Sequence, residues 1–221
     1  MGRILPEMLR AARVTVEISA LALVLGTALG ILLGSLRTLG PGWLKLAIQA
    51  VVDFIRGVPP LVPIAFIYFA LPGFGLTLSE FWTGVVALSL IAACYIVEIV
   101  RASLESLDRG QTEAALSIGM SNAMALRFIL LPQAATRMLP PLTNELANVV
   151  KASSLLSVVA VREITLVGNA LIFENFLFLE VLIEMAVLYL LITSVVQFAA
   201  RLLEKRFAAA YGADVALSEI R

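Results

Sequence analysis

Long stretches without a charged residue restrict what this chain can fold into. Residues 18–36 form one such stretch of 19 residues, long enough as a helix to cross the ~30 Å hydrocarbon core of a bilayer. Hydrophobic residues make up 61% of the 221 residues and charged residues 14%, whereas an ordinary soluble domain is about 25% charged. A water-soluble globule of this composition would expose a large apolar surface. The sequence therefore excludes an ordinary soluble enzyme domain and predicts an all-α integral membrane protein.

The apolar segments predict about five transmembrane helices, which form a membrane domain over residues 1–207, followed by a cytoplasmic tail over 208–221. Several prolines interrupt the second span. Because proline removes a backbone donor, we expect an irregular entry there, followed by a helix over 61–71. The predicted spans are 14–36, 58–71, 82–104, 132–159 and 179–202.

Three glycines in the first span, Gly26, Gly30 and Gly34, recur every four residues. This spacing places them on one face of a helix. Stripes of small residues allow the backbones of two membrane helices to approach closely. We therefore expect the first span to pack tightly against a neighbouring helix.

The distribution of Lys and Arg predicts the orientation of the spans, because short cytoplasmic loops carry an excess of both. With the N-terminus outside, ten of these residues fall on the cytoplasmic side and four outside. This ratio predicts a multi-pass protein with its N-terminus outside and its C-terminus inside. The ten are Arg37, Lys45, Arg56, Arg101, Arg109, Arg127, Arg201, Lys205, Arg206 and Arg221, and the four are Arg3, Arg10, Arg13 and Arg162.

The residue types that the sequence lacks exclude several kinds of chemistry. The chain contains no histidine, so His-based triads and His-ligated metal sites are impossible. Its single cysteine, Cys94, lies in an apolar run and has no partner in the chain for a disulfide. No GxxxxGK[ST] phosphate loop is present, and the net charge of zero gives no basic field for nucleic acid. We expect no enzyme activity, no cofactor or metal bound by this chain, and no nucleic-acid partner.

The segment between the third and fourth spans, over about 108–127, carries local signals for two short helices. Either Asp108 or Thr112 is suited to cap the first helix, and Glu113 suits its positive N-terminal end. Gly119 suits the left-handed turn that ends this helix, and Ser121 suits the cap of the second. These signals predict a compact helix–turn–helix on the cytoplasmic side, and a simple connector is the alternative.

The spacing within this segment resembles the cytoplasmic loop signature of bacterial ABC importer permeases. Glu-Ala-Ala at 113–115 is followed after three residues by Gly119, and after nine more by Ile-x-Leu-Pro at 129–132. The resemblance implies the fold of a type I ABC importer permease, in which this loop is a coupling helix that docks into a groove on an ATPase subunit. The small alanines would let that surface come close. The matched coupling positions are Glu113, Ala114, Ala115, Gly119, Ser121, Leu131 and Pro132.

Other motifs are similar to the polar amino acid branch of these permeases, the histidine, glutamine, glutamate and arginine type, and they cover residues 14–207. They include the segments at 53–61, 95–101, 131–134 and 151–155. The chain departs from the branch with Pro-Pro at 59–60 instead of Pro-Leu, and with Ala-Ser-Ser after Lys151 instead of Asp-Thr-Ser. The second departure removes an acid that could pair with this lysine.

The resemblance also implies a location and a set of partners. The chain would lie among the lipids of the bacterial cytoplasmic (inner) membrane and form the translocation pathway as a dimer with itself or with a similar permease chain. Two separate ABC ATPase subunits would bind ATP and Mg, and an extracytoplasmic solute-binding protein would deliver the polar amino acid.

Polar residues inside the spans are the candidates for the substrate pathway. A charge at the centre of a membrane helix costs about 2.5–3.5 kcal/mol on insertion scales and needs a partner or water. In the fourth span such residues recur at helical spacing and share one face; they are Arg137, Pro141, Asn144, Asn148 and Lys151. This face either lines the pathway or makes ion pairs and hydrogen bonds within the bundle, and the sequence leaves both interpretations open.

Two further acids are candidates for the pathway. Glu98 is expected to pair at least in part with Arg101, three residues later on the same helix. The resemblance places Glu163 near the outer end of the pathway, where it either meets an ammonium group or is neutralised by the adjacent Arg162. The complete set of candidate pathway residues is Glu98, Asn144, Glu145, Lys151, Ser154 and Glu163.

Three other functions are known for membrane proteins of this size, and the sequence disfavours each. An ion-gradient-driven secondary carrier is disfavoured by the absence of an internal repeat and by the odd number of spans. An intramembrane hydrolase is disfavoured because no nucleophile–base arrangement is present, and a pure scaffold is disfavoured by the family resemblance. The sequence therefore predicts the membrane-spanning permease subunit of an ATP-driven importer for polar amino acids, with a secondary amino acid carrier as the alternative.

Overall fold

The computed structural model describes the backbone of residues 4–218 and the side chains of residues 4–206. The described residues contain nine α-helices and no strand, which confirms the predicted all-α class. The helices are α1 Ile4–Leu39, α2 Gly42–Gly57, α3 Leu61–Ala65, α4 Glu80–Glu105, α5 Arg109–Ser117, α6 Asn122–Ala125, α7 Leu131–Ala152, α8 Ile164–Asn175 and α9 Phe178–Ser218.

Three helices are each long and apolar enough to span a bilayer: Ile4–Leu39, Glu80–Glu105 and Phe178–Arg206. Two further spans arise if each of two bent pairs of helical segments counts as one. The first pair joins Gly42–Gly57 to Leu61–Phe74 at 101°, and the second joins Asn122–Val159 to Ile164–Asn175 at 54°. The structure therefore gives three to five spans, in agreement with the predicted fold.

The stripe of glycines on α1 is the contact surface for α4, as predicted. A Cβ atom added at Gly30 would lie 2.6 Å from the Cβ of Ile96, and one at Gly34 would lie 2.8 Å from the Cβ of Val100. Added at Gly26, it would approach Ala92 of the same helix. Because such distances are too short for two carbon atoms, only glycine lets the two helices pack at this separation.

The second span differs from its predicted form. Its helical part begins at Gly42, before the predicted start at residue 58, because α2 packs on α4 through a small core of Ile48, Val52, Cys94 and Val97. The chain then turns sharply at Pro59–Pro60, and α3 continues as a π-helical turn over Phe66–Ala70 and a 3-10 turn over Leu71–Phe74. Irregular backbone at this point agrees with the prediction from the prolines.

The first span is also longer than predicted, beginning at Ile4 instead of residue 14. The additional turns bury Met8 and its neighbours in a second core against α8 and the start of α9. Helix α8, after the 3-10 turn Ser153–Val159 that extends α7, has no counterpart among the predicted elements. It caps this second core and fixes the position of Glu163, which immediately precedes it.

Helix α9 is the least buried of the three long apolar helices in the single chain, because only 6% of its most apolar stretch is buried, against 28% for α1 and 72% for α4. The apolar surface left exposed is suited to lipid or to another protein chain. The predicted tail, 208–221, has no described side chains, and residues 219–221 lie outside the described part of the chain. Arg3 and Arg221, two of the residues on which the predicted orientation depends, also lie outside the described part of the chain.

Candidate functional site

The loop between α4 and α7 forms the helix–turn–helix that the sequence predicts. The side chain of Asp108 accepts a hydrogen bond from the backbone nitrogen of Gly110 at 2.7 Å, so Asp108 caps α5 and Thr112 does not. Gly119 adopts a left-handed conformation with a φ of +84° just after α5. Ser121 caps α6 by accepting from the backbone nitrogen of Met124 at 3.3 Å. We refer to residues 108–127 as the coupling loop.

The outward surface of the coupling loop is small and mixed in character. Glu113 and Ala114 are exposed, whereas Ala115 is buried within the chain, with 4% of its surface exposed. Only the first of the two alanines therefore offers a close approach to another surface. Sequence reasoning missed Ile118, which is 78% exposed and carries the largest exposed apolar surface of α5 and its C-cap. An exposed isoleucine beside a small alanine is suited to insertion into a groove on a partner.

Two contacts connect the coupling loop and its flanks to the membrane helices. The amide nitrogen of Gln133, near the start of α7, donates to the amide oxygen of Gln111 in α5 at 3.0 Å. One turn further along α7, Arg137 donates to the hydroxyl of Ser106 at 2.8 Å and to the backbone carbonyl of the same residue. Leu131, which packs against the buried residues shared by α1, α4 and α7, and Pro132 form the first turn of α7. Gln111 therefore attaches the loop to α7, and Arg137 attaches α7 to the residue that ends α4.

Glu98 of α4 lies at the centre of a cluster of charged side chains. It accepts a hydrogen bond from Arg37 of α1 at 2.8 Å and also pairs with Arg101, and Arg56 of α2 lies 4.0 Å away. The pair with Arg101 was predicted, and the contact with Arg37 was not, because 61 residues separate the two in sequence. Arg101 also pairs with Glu105. A carboxylate shared by guanidinium groups from three helices stabilises their packing, which favours the structural interpretation of Glu98.

The polar stripe on α7 shares one face, as its spacing predicts. Arg137, Asn144, Asn148 and Lys151 are exposed, whereas Glu145 beside them is buried. The amide of Asn148 donates to the carboxylate of Glu145 at 3.3 Å, and so connects the buried acid to the exposed face. The stripe is thus open in the single chain and available to substrate or to a second chain.

Ser154 follows this stripe in the 3-10 turn after α7. Its hydroxyl donates to the backbone carbonyl of Lys151 at 2.8 Å. This bond involves only the backbone of Lys151 and does not hold its side chain. In the described part of the chain no carboxylate lies within 4.0 Å of the Lys151 ammonium. A cation in this position depends on water, substrate or a partner chain for compensation.

Glu163 is completely buried and caps α8. Its carboxylate accepts hydrogen bonds from the backbone nitrogens of Thr165 at 2.9 Å and Leu166 at 2.8 Å, and from the hydroxyl of Tyr189 in α9 at 2.6 Å. Arg162 is exposed and makes no ion pair with Glu163, so the alternative in which it neutralises this acid is wrong. The carboxylate is instead compensated by hydrogen-bond donors and the N-terminal end of a helix. Sequence reasoning missed this role.

The chain matches one protein family and is similar in sequence to several known proteins. The family model described as binding-protein-dependent transport system inner membrane component matches residues 26–209. The chain is 40% identical over 205 residues to the glutamine transport system permease protein GlnP of Escherichia coli K12, covering 91% of this chain and 93% of that protein. It is 32% identical over 203 residues to the probable amino-acid ABC transporter permease protein YckA of Bacillus subtilis, covering 92% and 90% of the two chains.

Two solved structures share the fold. A crystal structure of an amino acid ABC transporter with histidines matches with a TM-score of 0.84 at 31% identity, and the match covers 93% of this chain and 96% of that one. An inward-facing structure of the MetNI methionine ABC transporter matches with a TM-score of 0.82 at 20% identity, covering 94% and 99% of the two chains. At that lower identity the second match supports the fold alone.

Proposed function

The chain belongs to the family of binding-protein-dependent transport system inner membrane components and is a membrane-spanning permease subunit of an amino-acid ABC importer; from this premise we propose how it is assembled and coupled. The observation that supports the coupling proposal is the coupling loop, which projects Glu113, Ala114 and Ile118 outward. A hydrogen bond holds the loop to α7 through Gln111, and a second one, at its flank, holds α7 to the end of α4. The imported solute is a polar amino acid of the histidine, glutamine, glutamate or arginine type, since glutamine permeases are among the relatives.

The energy for import comes from ATP and Mg bound by two separate ABC ATPase subunits. The coupling loop docks on one of them through its exposed surface, with Gly119 setting the left-handed turn that orients it. Closure of the ATPases displaces α5, and the contact Gln111–Gln133 transmits this movement to α7, which Arg137 in turn connects to Ser106 at the end of α4. Because packed helices move as rigid elements, the displacement switches α7 between two orientations relative to the membrane.

The open polar face of α7 supports a pathway between two permease chains. Asn144, Asn148 and Lys151 lie on this face, and Asn148 connects it to the buried Glu145. Together they offer hydrogen-bond acceptors, donors and charges of both signs, which match the ammonium and carboxylate groups of an amino acid. One chain leaves this face exposed, so a second copy or a similar permease completes the pathway. The open surface of α9 is suited to lipid and to that second chain. Glu98, paired with Arg37, holds α1 and α4 together, and Glu163 caps α8; neither contacts the solute.

The chain lies in the bacterial inner membrane with its N-terminus outside and its C-terminus inside. In this orientation the coupling loop faces the cytoplasm and the ATPases, and an extracytoplasmic solute-binding protein delivers the amino acid from the other side. The alternative of an ion-gradient-driven carrier receives no support from the relatives named above, which are ABC transporter permeases.

Reconstituted vesicles containing this chain, its ATPase and its binding protein test the proposal directly. We expect one polar amino acid to stimulate ATP hydrolysis and to accumulate in the vesicles, and Gly119→Asp and Glu113→Lys to abolish both effects. Glu204→Lys serves as the matched control, because it makes the same charge change on α9, away from the coupling loop. Uptake that follows a proton or sodium gradient without an ATPase would refute the proposal and establish a secondary carrier.

A further inference from the structure

A cavity of about 490 Å³ lies where the ends of α1 and α4 meet the starts of α2 and α5. Three cationic side chains line it, those of Arg37, Lys45 and Arg101, against one carboxylate, that of Glu105. Thr112 of the coupling loop forms another part of its wall. The cavity lies at the end of the bundle that carries the coupling loop, and its excess positive charge comes from Lys45, because Glu98 and Glu105 pair with the two arginines.

The three cations differ in how they are held. Arg37 and Arg101 both contact Glu98, which fixes their guanidinium groups in one wall of the cavity. Lys45, near the start of α2, is exposed, and in the described part of the chain no carboxylate lies within 4.0 Å of its ammonium. The ammonium is therefore free to bind an anion that enters the cavity.

The rim of the cavity on the same helix is apolar. Leu46 lines the cavity and is 73% exposed, and Trp43, three residues earlier and on the same face of α2, is 70% exposed. Tryptophan beside lysine at the end of a membrane segment is typical of the boundary between headgroups and acyl chains. A soluble anion would make no contact with this apolar rim, whereas the acyl chains of a lipid would cover it.

We propose that this cavity binds the phosphate-bearing headgroup of an anionic lipid of the phosphatidylglycerol class. Lys45 contacts the phosphate beside Arg37, and Trp43 and Leu46 contact the acyl chains. The assignment to the cytoplasmic leaflet rests on the orientation proposed above, whereas binding itself does not. A lipid bound here would contact α2, α4 and the coupling loop together.

Fluorescence of Trp43 reports on this site. The full-length chain contains two tryptophans, so a Trp82→Phe background leaves Trp43 as the single reporter. We would place this protein in phosphatidylcholine vesicles with increasing fractions of phosphatidylglycerol brominated in its acyl chains, and in parallel vesicles with brominated phosphatidylcholine. We expect the anionic lipid to quench Trp43 at a lower mole fraction than the neutral lipid does.

Substitutions of Lys45 test whether its ammonium group is responsible for the preference for the anionic lipid. Lys45→Gln is expected to weaken the preference for the anionic lipid about fivefold, the factor that one cation near an anionic surface contributes. Lys45→Arg should retain the preference, and Lys205→Gln, the same change on α9, should leave it intact. Equal quenching by the two lipids, or an unchanged preference in Lys45→Gln, would overturn the proposal.

A third arm separates a lipid from a soluble anion. Inorganic phosphate is added at millimolar concentration and constant ionic strength to the vesicles that contain phosphatidylglycerol. If the preference persists, the occupant is the lipid; if phosphate abolishes it, the cavity takes a free anion and the lipid assignment is wrong. The measurement requires no ATPase and no transport, so its failure is distinguishable from failure of the proposed import function.

Discussion

The amide nitrogen of Gln133 lies 3.0 Å from the amide oxygen of Gln111, and this hydrogen bond joins the first turns of α7 to α5 in the coupling loop. Gln111 lies in the short helix α5, and movement of this helix must reach the membrane helices if ATP hydrolysis is to drive transport. The bond is exposed and therefore contributes little to stability, about 0.5–1.5 kcal/mol at most. Its expected importance lies in transmitting movement.

We predict that Gln133→Ala reduces the number of amino acid molecules imported per ATP hydrolysed by several-fold while leaving thermal stability nearly unchanged. Gln111→Ala should have the same effect, and the double variant should be no worse than either single one, because both changes remove the same bond. The ratio is measured in reconstituted vesicles by parallel uptake and phosphate-release assays. Gln197→Ala, on α9, is the control, and a normal ratio in both single variants would contradict the prediction.

The glycine stripe on α1 yields a prediction about stability. At Gly30 an added methyl group would lie 2.6 Å from the Cβ of Ile96, so Gly30→Ala forces α1 and α4 apart and should cost about 1–3 kcal/mol. For a chain of this size that corresponds to a fall of several degrees in the midpoint of thermal unfolding. Circular dichroism of the purified protein in detergent measures this change.

A matched control and a rescue make the test of Gly30 specific. Gly42→Ala introduces the same methyl group where no atom lies within 4 Å, and it should leave the midpoint unchanged or raise it slightly. In an Ile96→Gly background the additional cost of Gly30→Ala should be smaller than in the wild-type chain, because glycine at 96 removes the Cβ and Cγ2 atoms that clash. Equal stability of the Gly30 and Gly42 variants would show that the two helices can separate without cost.

Sequence patterns that repeat within one helix predicted the structure well. The glycine stripe of α1, the polar face of α7 and the caps Asp108 and Ser121 depend on residues a few positions apart, and their geometry follows from the helix itself. The left-handed turn at Gly119 belongs to the same class, because glycine adopts this conformation without steric cost. For these features, the local sequence contains all the necessary information.

Features that depend on contacts between distant segments were missed. The pair Arg37–Glu98 and the bond from Tyr189 to Glu163 connect residues 61 and 26 positions apart, and no single-helix period reveals them. Helix α2 was missed for a similar reason, since its position is fixed by packing on α4. Here tertiary packing decides the structure, and local propensity is too weak to indicate it.

The charged cluster around Glu98 yields a prediction about ion pairing. Glu98→Gln leaves Arg37, Arg56 and Arg101 close together without their shared carboxylate, and their mutual repulsion should destabilise the chain by about 1–3 kcal/mol. This range lies below that of a fully buried pair because the Glu98 side chain is 22% exposed. Added salt should recover part of the lost stability by screening the repulsion.

The exposed pair Arg13–Glu17 supplies the control for this cluster. Its side chains are 80% and 43% exposed, so Glu17→Gln should change stability by less than about 1 kcal/mol. Thermal unfolding of both variants at low and high salt provides the comparison. If Glu98→Gln is no less stable than Glu17→Gln, then the arginines are compensated by water and the cluster does not hold the three helices together.

The cap of α8 yields the last prediction, which separates a structural role of Glu163 from a role in contacting substrate. Glu163→Ala removes the acceptor for two backbone nitrogens and for the Tyr189 hydroxyl. A lost cap costs about 0.5–2 kcal/mol, and a buried donor left without a partner costs about 1–3 kcal/mol. Glu163→Gln retains one oxygen acceptor and should therefore lose less stability than Glu163→Ala.

Tyr189→Phe distinguishes most clearly between the two roles considered for Glu163, as a helix cap and as a contact for substrate. It removes one donor from the Glu163 carboxylate, leaves both bonds of the cap, and alters no candidate pathway residue. If Glu163 acts as a cap, stability should fall in the order Tyr189→Phe, Glu163→Gln, Glu163→Ala, and the concentration of amino acid that half-saturates uptake should stay the same in every variant that assembles. A rise in that concentration for Glu163→Gln at unchanged stability would instead place the carboxylate in contact with the imported amino acid. A cap affects the affinity for the amino acid only through the fold, whereas a group that contacts the amino acid changes this affinity directly.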